Sequence, residues 1–105
     1  MAREKFIIQS LKGFKKELDK RVGVERMILF GSLARGKFRK DSDVDLIIVS
    51  KKFRGIPFFK RGLRFDELWN LDYPFDFICL SPEEYKKMKK GVTIVTQAEK
   101  EGIAI

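Results

Sequence analysis

Two aspartates separated by one residue open an apolar run in the middle of the chain. Asp43 and Asp45 precede residues 46–49, and a strand here would direct both carboxylates to the same side. Carboxylates held side by side repel each other, and burial at a strand end adds a desolvation cost. Divalent cations relieve both costs, and a pair of them can clamp the reacting oxygens of a phosphoryl transfer. The aspartate pair therefore predicts a metal site for phosphate chemistry.

Asp76 stands in a similar setting, because it interrupts the otherwise apolar residues 75–80. A charge in such a strand needs a partner. If this strand lies beside the one that follows Asp43, three carboxylates converge. The third would then bind the metal and help to deprotonate an acceptor hydroxyl.

A Gly-Ser turn follows the short apolar run 27–30. Gly31 lets backbone approach a phosphate closely, and the free amides after it can donate to phosphate oxygens. Ser32 adds a hydroxyl. Four cations of the same turn would offset the charge of a triphosphate: Arg35, Lys37, Arg39 and Lys40.

Simpler interpretations account for parts of this pattern. Residues 41–43 fit ordinary turn chemistry before a strand, but Asp45 does not, because apolar residues follow it without a break. Asp76 alone could be ion-paired or solvated at an edge. The turn also resembles a nucleotide-hydrolase phosphate loop, but Phe38 stands where that loop needs a hydroxyl. A calcium loop is excluded because Leu46 replaces its glycine.

The elements that must position these residues follow from hydrophobic spacing and helix-start signals. Residues 43–50 predict a central strand covered on both faces. The remaining expected elements are helices at 4–22, 58–70, 81–90 and 93–101, and strands at 27–30, 75–80 and 103–105. This order indicates a sheet covered by helices.

The composition limits the chemistry. A length of 105 residues predicts one domain, 1–105. Histidine is absent and Cys79 is the only cysteine, so a metal site must use oxygen ligands, which suit Mg²⁺, Mn²⁺ or Ca²⁺. No apolar run could span a membrane and no leader follows Met1, so we expect a cytoplasmic protein.

The net charge of +8 has two interpretations, which stay equally open. A basic surface attracts nucleotides, nucleic acids or acidic proteins. It also suits a heat-adapted protein, as does the small number of Asn, Gln and Cys residues.

The basic aromatic segment, residues 51–64, allows three interpretations. It could bind single-stranded nucleic acid, or dock a partner through Phe58 or Phe59. We expect instead that its aromatic rings pack under the sheet while its cations stay hydrated. Leu68, Trp69 and Cys79 are expected in the core.

The stretch from Gly31-Ser32 to Asp43-Val44-Asp45 resembles the signature of the nucleotidyltransferase superfamily typified by DNA polymerase beta. Over nearly its whole length the chain is most similar to the minimal nucleotidyltransferases of prokaryotes. The resemblance implies an α+β fold with a mixed, palm-like sheet of three to five strands flanked by helices. It also implies transfer of a nucleoside monophosphate, often AMP from ATP, to a hydroxyl with release of pyrophosphate.

The same resemblance implies roles for individual residues and for partners. Gly31 and Ser32 would hold the triphosphate, Asp43 and Asp45 would bind Mg²⁺ or Mn²⁺, and Asp76 would complete the site. The expected partner is a helical HEPN-domain protein, in a toxin–antitoxin pair whose toxin some relatives adenylylate. A non-catalytic antitoxin that acts by contact, or a nucleic-acid-binding module, remains the alternative.

Overall fold

The computed structural model describes residues 2–37 and 42–105, with the side chains of residues 2 and 3 left aside. A mixed four-stranded sheet forms its centre, in the order β3-β2-β1-β4. Strand β2 runs antiparallel to β1 and parallel to β3, and β4 runs antiparallel to β1. The strands are β1 Val24–Phe30, β2 Val44–Ser50, β3 Phe75–Leu80 and β4 Ile103–Ala104. The helices are α1 Ala2–Val22, α2 Pro82–Met88 and α3 Ile94–Glu101. The predicted α+β fold is thus confirmed.

Two apolar layers cover the two faces of the sheet. Alternate residues of β2 point to opposite faces, so Leu46 and Ile48 join the layer under α1, which contains Leu11. Ile47 and Val49 join the layer under α2 and α3. All apolar residues of β2 are buried, as predicted for a central strand.

The start of α2 confirms a capping box that the sequence predicted. The Ser81 side chain accepts from the Glu84 N–H, and the Glu84 carboxylate accepts from the Ser81 N–H. Thr93 caps α3 in a similar way, by accepting from the Thr96 N–H. These caps satisfy helix amides that would otherwise lack partners.

The α-helix predicted at 58–70 is wrong. The segment instead forms two short 3₁₀ turns, Phe58–Lys60 and Phe65–Leu68. Between them Arg64 adopts a left-handed conformation with φ 71°, which interrupts any continuous helix. Apolar spacing resembled a helix because Phe65 and Leu68 both reach the core.

The expectation that the aromatics of the basic segment pack under the sheet holds only in part. Phe53 is buried, whereas Phe58 and Phe59 are 57% and 78% exposed. Trp69 is half-buried and contacts Phe14 edge to face, with ring centroids 5.1 Å apart. Cys79 is buried as expected, and burial raises the pKa of its thiol to about 12. Among the described helices, none has the length and apolarity to cross a bilayer.

Candidate active site

Strand register brings two of the predicted carboxylates together. Asp45 of β2 is paired with Phe30 of β1 on one side and with Asp76 of β3 on the other. Adjacent strands are about 4.8 Å apart, so the paired aspartates are direct neighbours on one sheet face. Asp43 lies exposed just before β2, one residue outside the strand expected to include it.

The turn at Gly31 lies directly against the Asp45 carboxylate. Gly31 has φ 78°, a conformation that suits glycine, and it follows the last residue of β1. A Cβ added at Gly31 would overlap Oδ2 of Asp45 and come within 3.3 Å of its Cγ. The missing side chain therefore leaves the space that the Asp45 carboxylate occupies.

Free backbone donors follow Gly31. The Arg35 N–H donates to the Ser32 carbonyl at 3.1 Å, and the Lys37 N–H donates to the same carbonyl at 3.0 Å. In the described part of the chain, no backbone carbonyl accepts from the N–H groups of Ser32, Leu33 or Ala34. Such donors at the start of a turn suit an anion.

Its surroundings disfavour the ionised form of the Asp45 carboxyl group. Burial raises its pKa most, followed by the negative charges of Asp76 and then Asp43. Over residues 2–37 and 42–105, neither ion-pair nor hydrogen-bond partners reach any of the three carboxylates. By contrast, seven glutamates have lysine or arginine partners: Glu17, Glu25, Glu67, Glu83, Glu84, Glu99 and Glu101.

The residues of this candidate site lie within the part of the chain that matches a known protein family. The nucleotidyltransferase domain family matches residues 11–105. The chain belongs to this family.

Relatives of known name support the same assignment. The chain is 32% identical over 101 residues to "Putative protein adenylyltransferase MJ0141" of Methanocaldococcus jannaschii, covering 94% of this chain and 98% of that protein. It is 39% identical over 57 residues to "Protein adenylyltransferase MntA" of Thermococcus cleftensis, covering 54% of each. A crystal structure of a "putative nucleotidyltransferase" from Sulfolobus solfataricus matches with a TM-score of 0.67 at 20% identity, over 96% of this chain and 80% of that one. That last likeness shows the fold alone.

The donor set of this nucleotidyltransferase domain fits a hard dication. Its carboxylates supply the oxygen ligands that Mg²⁺ and Mn²⁺ prefer, and they have no cation of the described chain beside them. Within the described ranges, however, no three acidic side chains are already gathered as a metal cluster. Asp45 and Asp76 lie in register, and the negative charge of Asp43 acts on Asp45. A bound metal would have to draw the three together.

The predicted phosphate-binding cations are only partly available. Arg35 lies 3.7 Å from the carboxylate of Glu101, and both side chains are about half exposed. Lys37 is exposed, and its carbonyl accepts from the Ser42 hydroxyl at 3.1 Å, which joins the two ends of the loop. Arg39 and Lys40 lie outside the described residues.

Two cavities lie at the two ends of the row of strand-paired residues Phe30, Asp45 and Asp76. One, of about 200 Å³, is lined by Gly31 and Arg35 together with Phe30, Gln97 and Glu101. It is too small for a whole nucleotide, since pockets for drug-sized ligands span about 300–1,000 Å³. The other is an open groove beside Asp76 with a volume of about 440 Å³.

Sequence reasoning missed Gln97, Glu101 and Leu63 as lining residues of these cavities, whereas it named Phe59 as a possible docking residue. Gln97 and Glu101 reach the Gly31 turn because α3 packs on β1. Phe59 and Leu63 line the same groove as Asp76 although they are distant from it in sequence. No local motif marks Gln97, Glu101 or Leu63, whereas the aromatic residues within 51–64 gave the signal that indicated Phe59.

Proposed function

We propose that this chain transfers AMP from ATP to a hydroxyl group of a partner protein, with Mg²⁺ or Mn²⁺ at its carboxylates. One observation supports this most strongly: Asp45 and Asp76 lie in register beside a glycine turn, with no basic partner among residues 2–37 and 42–105, in a chain of net charge +8. Stability alone would favour a lysine or arginine next to such carboxylates. The names of the relatives support protein as the acceptor.

In the proposed reaction, the Gly31–Ser32 turn holds the β- and γ-phosphates through its backbone N–H groups. Arg35 and Lys37 offset the charge of the triphosphate. Asp43, Asp45 and Asp76 would hold the metal, which when bound stabilises negative charge on the transferring phosphoryl group.

The acceptor step is a single displacement. The hydroxyl oxygen forms a bond to the α-phosphorus, and the bond from that phosphorus to the bridging oxygen breaks, so pyrophosphate leaves. Asp76 takes the hydroxyl proton as general base. The pyrophosphate departs on the side of the Gly31 turn.

We propose further that the acceptor is a helical HEPN-domain protein, with this chain as the antitoxin of the pair. The resemblance to minimal nucleotidyltransferases supports this assignment.

The test is transfer of label from α-labelled ATP to a co-purified helical partner. We expect Mg²⁺-dependent labelling and a partner mass increased by AMP. The double substitution Asp43→Asn with Asp45→Asn should abolish both, whereas Asp72→Asn, an exposed aspartate elsewhere, should not. Labelling that persists in the double variant would refute the proposed chemistry. Neutralisation of the partner by that variant, without labelling, would favour an antitoxin that acts by contact.

A further inference from the structure

An apolar groove lies beside β3, and its lining includes Asp76. Its walls include Phe58, Phe59, Leu63 and Phe75. These four side chains are 57%, 78%, 64% and 39% exposed. Single exposed apolar side chains are ordinary, but four that share one groove indicate a binding surface.

The groove borders a free strand edge. Strand β3 lies at the edge of the sheet, and the Val44 N–H donates to the Pro74 carbonyl at 2.8 Å. Backbone groups alternate along a strand, so those of Phe75, Phe77 and Cys79 point away from β2. The Cys79 carbonyl accepts from Nη1 of Arg61 at 3.1 Å.

The corresponding groups of Phe75 and Phe77 have no backbone partner among the described residues. Unpaired strand edges of this kind accept an extended polypeptide, which gains main-chain hydrogen bonds there. A nucleic acid offers no equivalent row of alternating donors and acceptors.

Charge indicates the character of the occupant. Residues 51–64 contain six cations. Lys51, Arg54, Arg61 and Arg64 are paired with glutamates, whereas Lys52 and Lys60 have no carboxylate partner among the described residues. Lys60 lies with its Nζ 5.8 Å from the ring centroid of Phe59, and in the described chain no carboxylate pairs with it. Lys60, which lies over the Phe59 ring at the groove, therefore favours an acidic side chain on the occupant.

Position gives the groove its role. The row Phe30, Asp45 and Asp76 crosses three strands, with the Gly31 turn at the β1 end and the groove at the β3 end. The attacking and leaving oxygens of a phosphoryl transfer lie roughly in line on opposite sides of phosphorus. If the triphosphate occupies the turn, an acceptor held in the groove would approach Asp76 from the β3 edge of the sheet.

We propose that the groove docks an extended, acidic segment of the acceptor protein along β3 and presents its hydroxyl to Asp76. This inference rests on the proposed function for the hydroxyl's fate: its oxygen bonds to the α-phosphorus, its proton passes to Asp76 and pyrophosphate leaves. Docking itself requires neither nucleotide nor metal.

The test measures binding of fluorescein-labelled poly(Glu,Tyr), an acidic polypeptide rich in aromatic hydroxyls, by fluorescence anisotropy without nucleotide. The double substitution Phe59→Ala with Leu63→Ala should weaken binding by about tenfold or more. Both side chains are mostly exposed, so the fold should persist. The matched control is Phe6→Ala, which removes a phenylalanine on α1 that is 64% exposed and should leave affinity unchanged.

Three results would overturn the docking proposal: no binding by the wild type, equal affinity in the double variant, or an equal loss in Phe6→Ala. Displacement of the polypeptide by oligothymidylate that depends on Phe59 and Leu63 would identify a nucleic-acid groove instead. Mg²⁺-dependent ATP binding is measured on the same samples. Its absence would refute the proposed function, while polypeptide binding would still decide the groove.

Discussion

The carboxylates at the two ends of strand β3 have opposite electrostatic environments. Near its start, Asp76 lies beside Asp45 with no basic partner in the described residues. Just beyond its end, Glu84 receives hydrogen bonds from Arg61, whose side chain is only 7% exposed. The hydrogen bonds from Arg61 lower the Glu84 pKa to about 2, whereas burial and neighbouring charges raise the pKa of Asp45.

The difference shows that lack of cations cannot explain the unpaired end. The chain has 23 lysines and arginines, and it places several within a few residues of Glu84. Asp76 is itself exposed on the edge strand, so the cost of leaving this end without a cation falls on Asp45, which is partly buried. The end that remains unpaired is the one with room for a ligand's positive charge.

The largest expected effect is at Gly31. Gly31→Ala places a methyl group where Asp45 Oδ2 lies, so we expect at least a tenfold loss of Mg²⁺-dependent ATP affinity, about 1.4 kcal/mol. Calorimetric titration measures it. Gly36→Ala is the control, because Gly36 has φ 80° but nothing within 4 Å of an added Cβ. Equal losses in the two variants would attribute the effect to backbone strain alone.

At the paired end, Glu84→Gln should destabilise the fold. The substitution removes the negative charge that compensates the buried Arg61 guanidinium. We expect the free energy of unfolding to fall by about 1–2 kcal/mol, because solvent screens part of the interaction. Urea unfolding measures this cost. An unchanged midpoint would mean that the carbonyls of Ile56 and Cys79, which also accept from Arg61, are sufficient partners.

The same pair predicts a pH dependence. The folded pKa of Glu84, about 2, lies below the usual 4.5, so its stabilising effect is complete above pH 4.5 and is lost as pH falls towards 2. The difference in unfolding free energy between wild type and Glu84→Gln should therefore shrink across this window. A difference that stays constant down to pH 2 would contradict the assignment.

At the unpaired end of β3, we expect removal of a carboxylate charge to stabilise the fold and not to destabilise it. Asp45→Asn removes like-charge repulsion and part of a desolvation cost, so the metal-free Tm should rise by a few degrees. Thermal unfolding followed by circular dichroism measures the shift. A fall in Tm would show that the Asp45 charge has a stabilising partner, which would weaken the comparison.

The smallest effect is expected at Glu83, which neighbours Glu84. Glu83 pairs with Arg54 on the surface, where both side chains are more than half exposed. Exposed pairs contribute little, so Glu83→Gln should leave the urea midpoint nearly unchanged. A loss of stability as large as that caused by Glu84→Gln would show that burial of Arg61 does not determine how much such a pair contributes.

Local signals predicted much of this fold. The Ser81 and Glu84 capping box, the buried β2 and the two aspartates that flank Val44 are all encoded over a few residues. The pairing of Asp45 with Asp76 could be expected only conditionally, because strand order depends on contacts between distant residues.

The predictions that failed depended on tertiary context. Residues 58–70 have helical spacing, but Arg64 takes a left-handed conformation and the segment divides into two turns. Phe58 and Phe59 could be assigned to core or surface only once the position of β3 was known. The metal, the nucleotide and the acceptor at the candidate site remain predictions.

The buried Cys79 has a practical consequence. With a thiol pKa of about 12, almost none of its sulfur is thiolate near neutral pH, and thiolate is the form that reacts with alkylating reagents. The wild-type chain should therefore stay unlabelled by maleimides while folded. A cysteine introduced at an exposed position could carry a single spectroscopic probe without any change to the native sequence elsewhere.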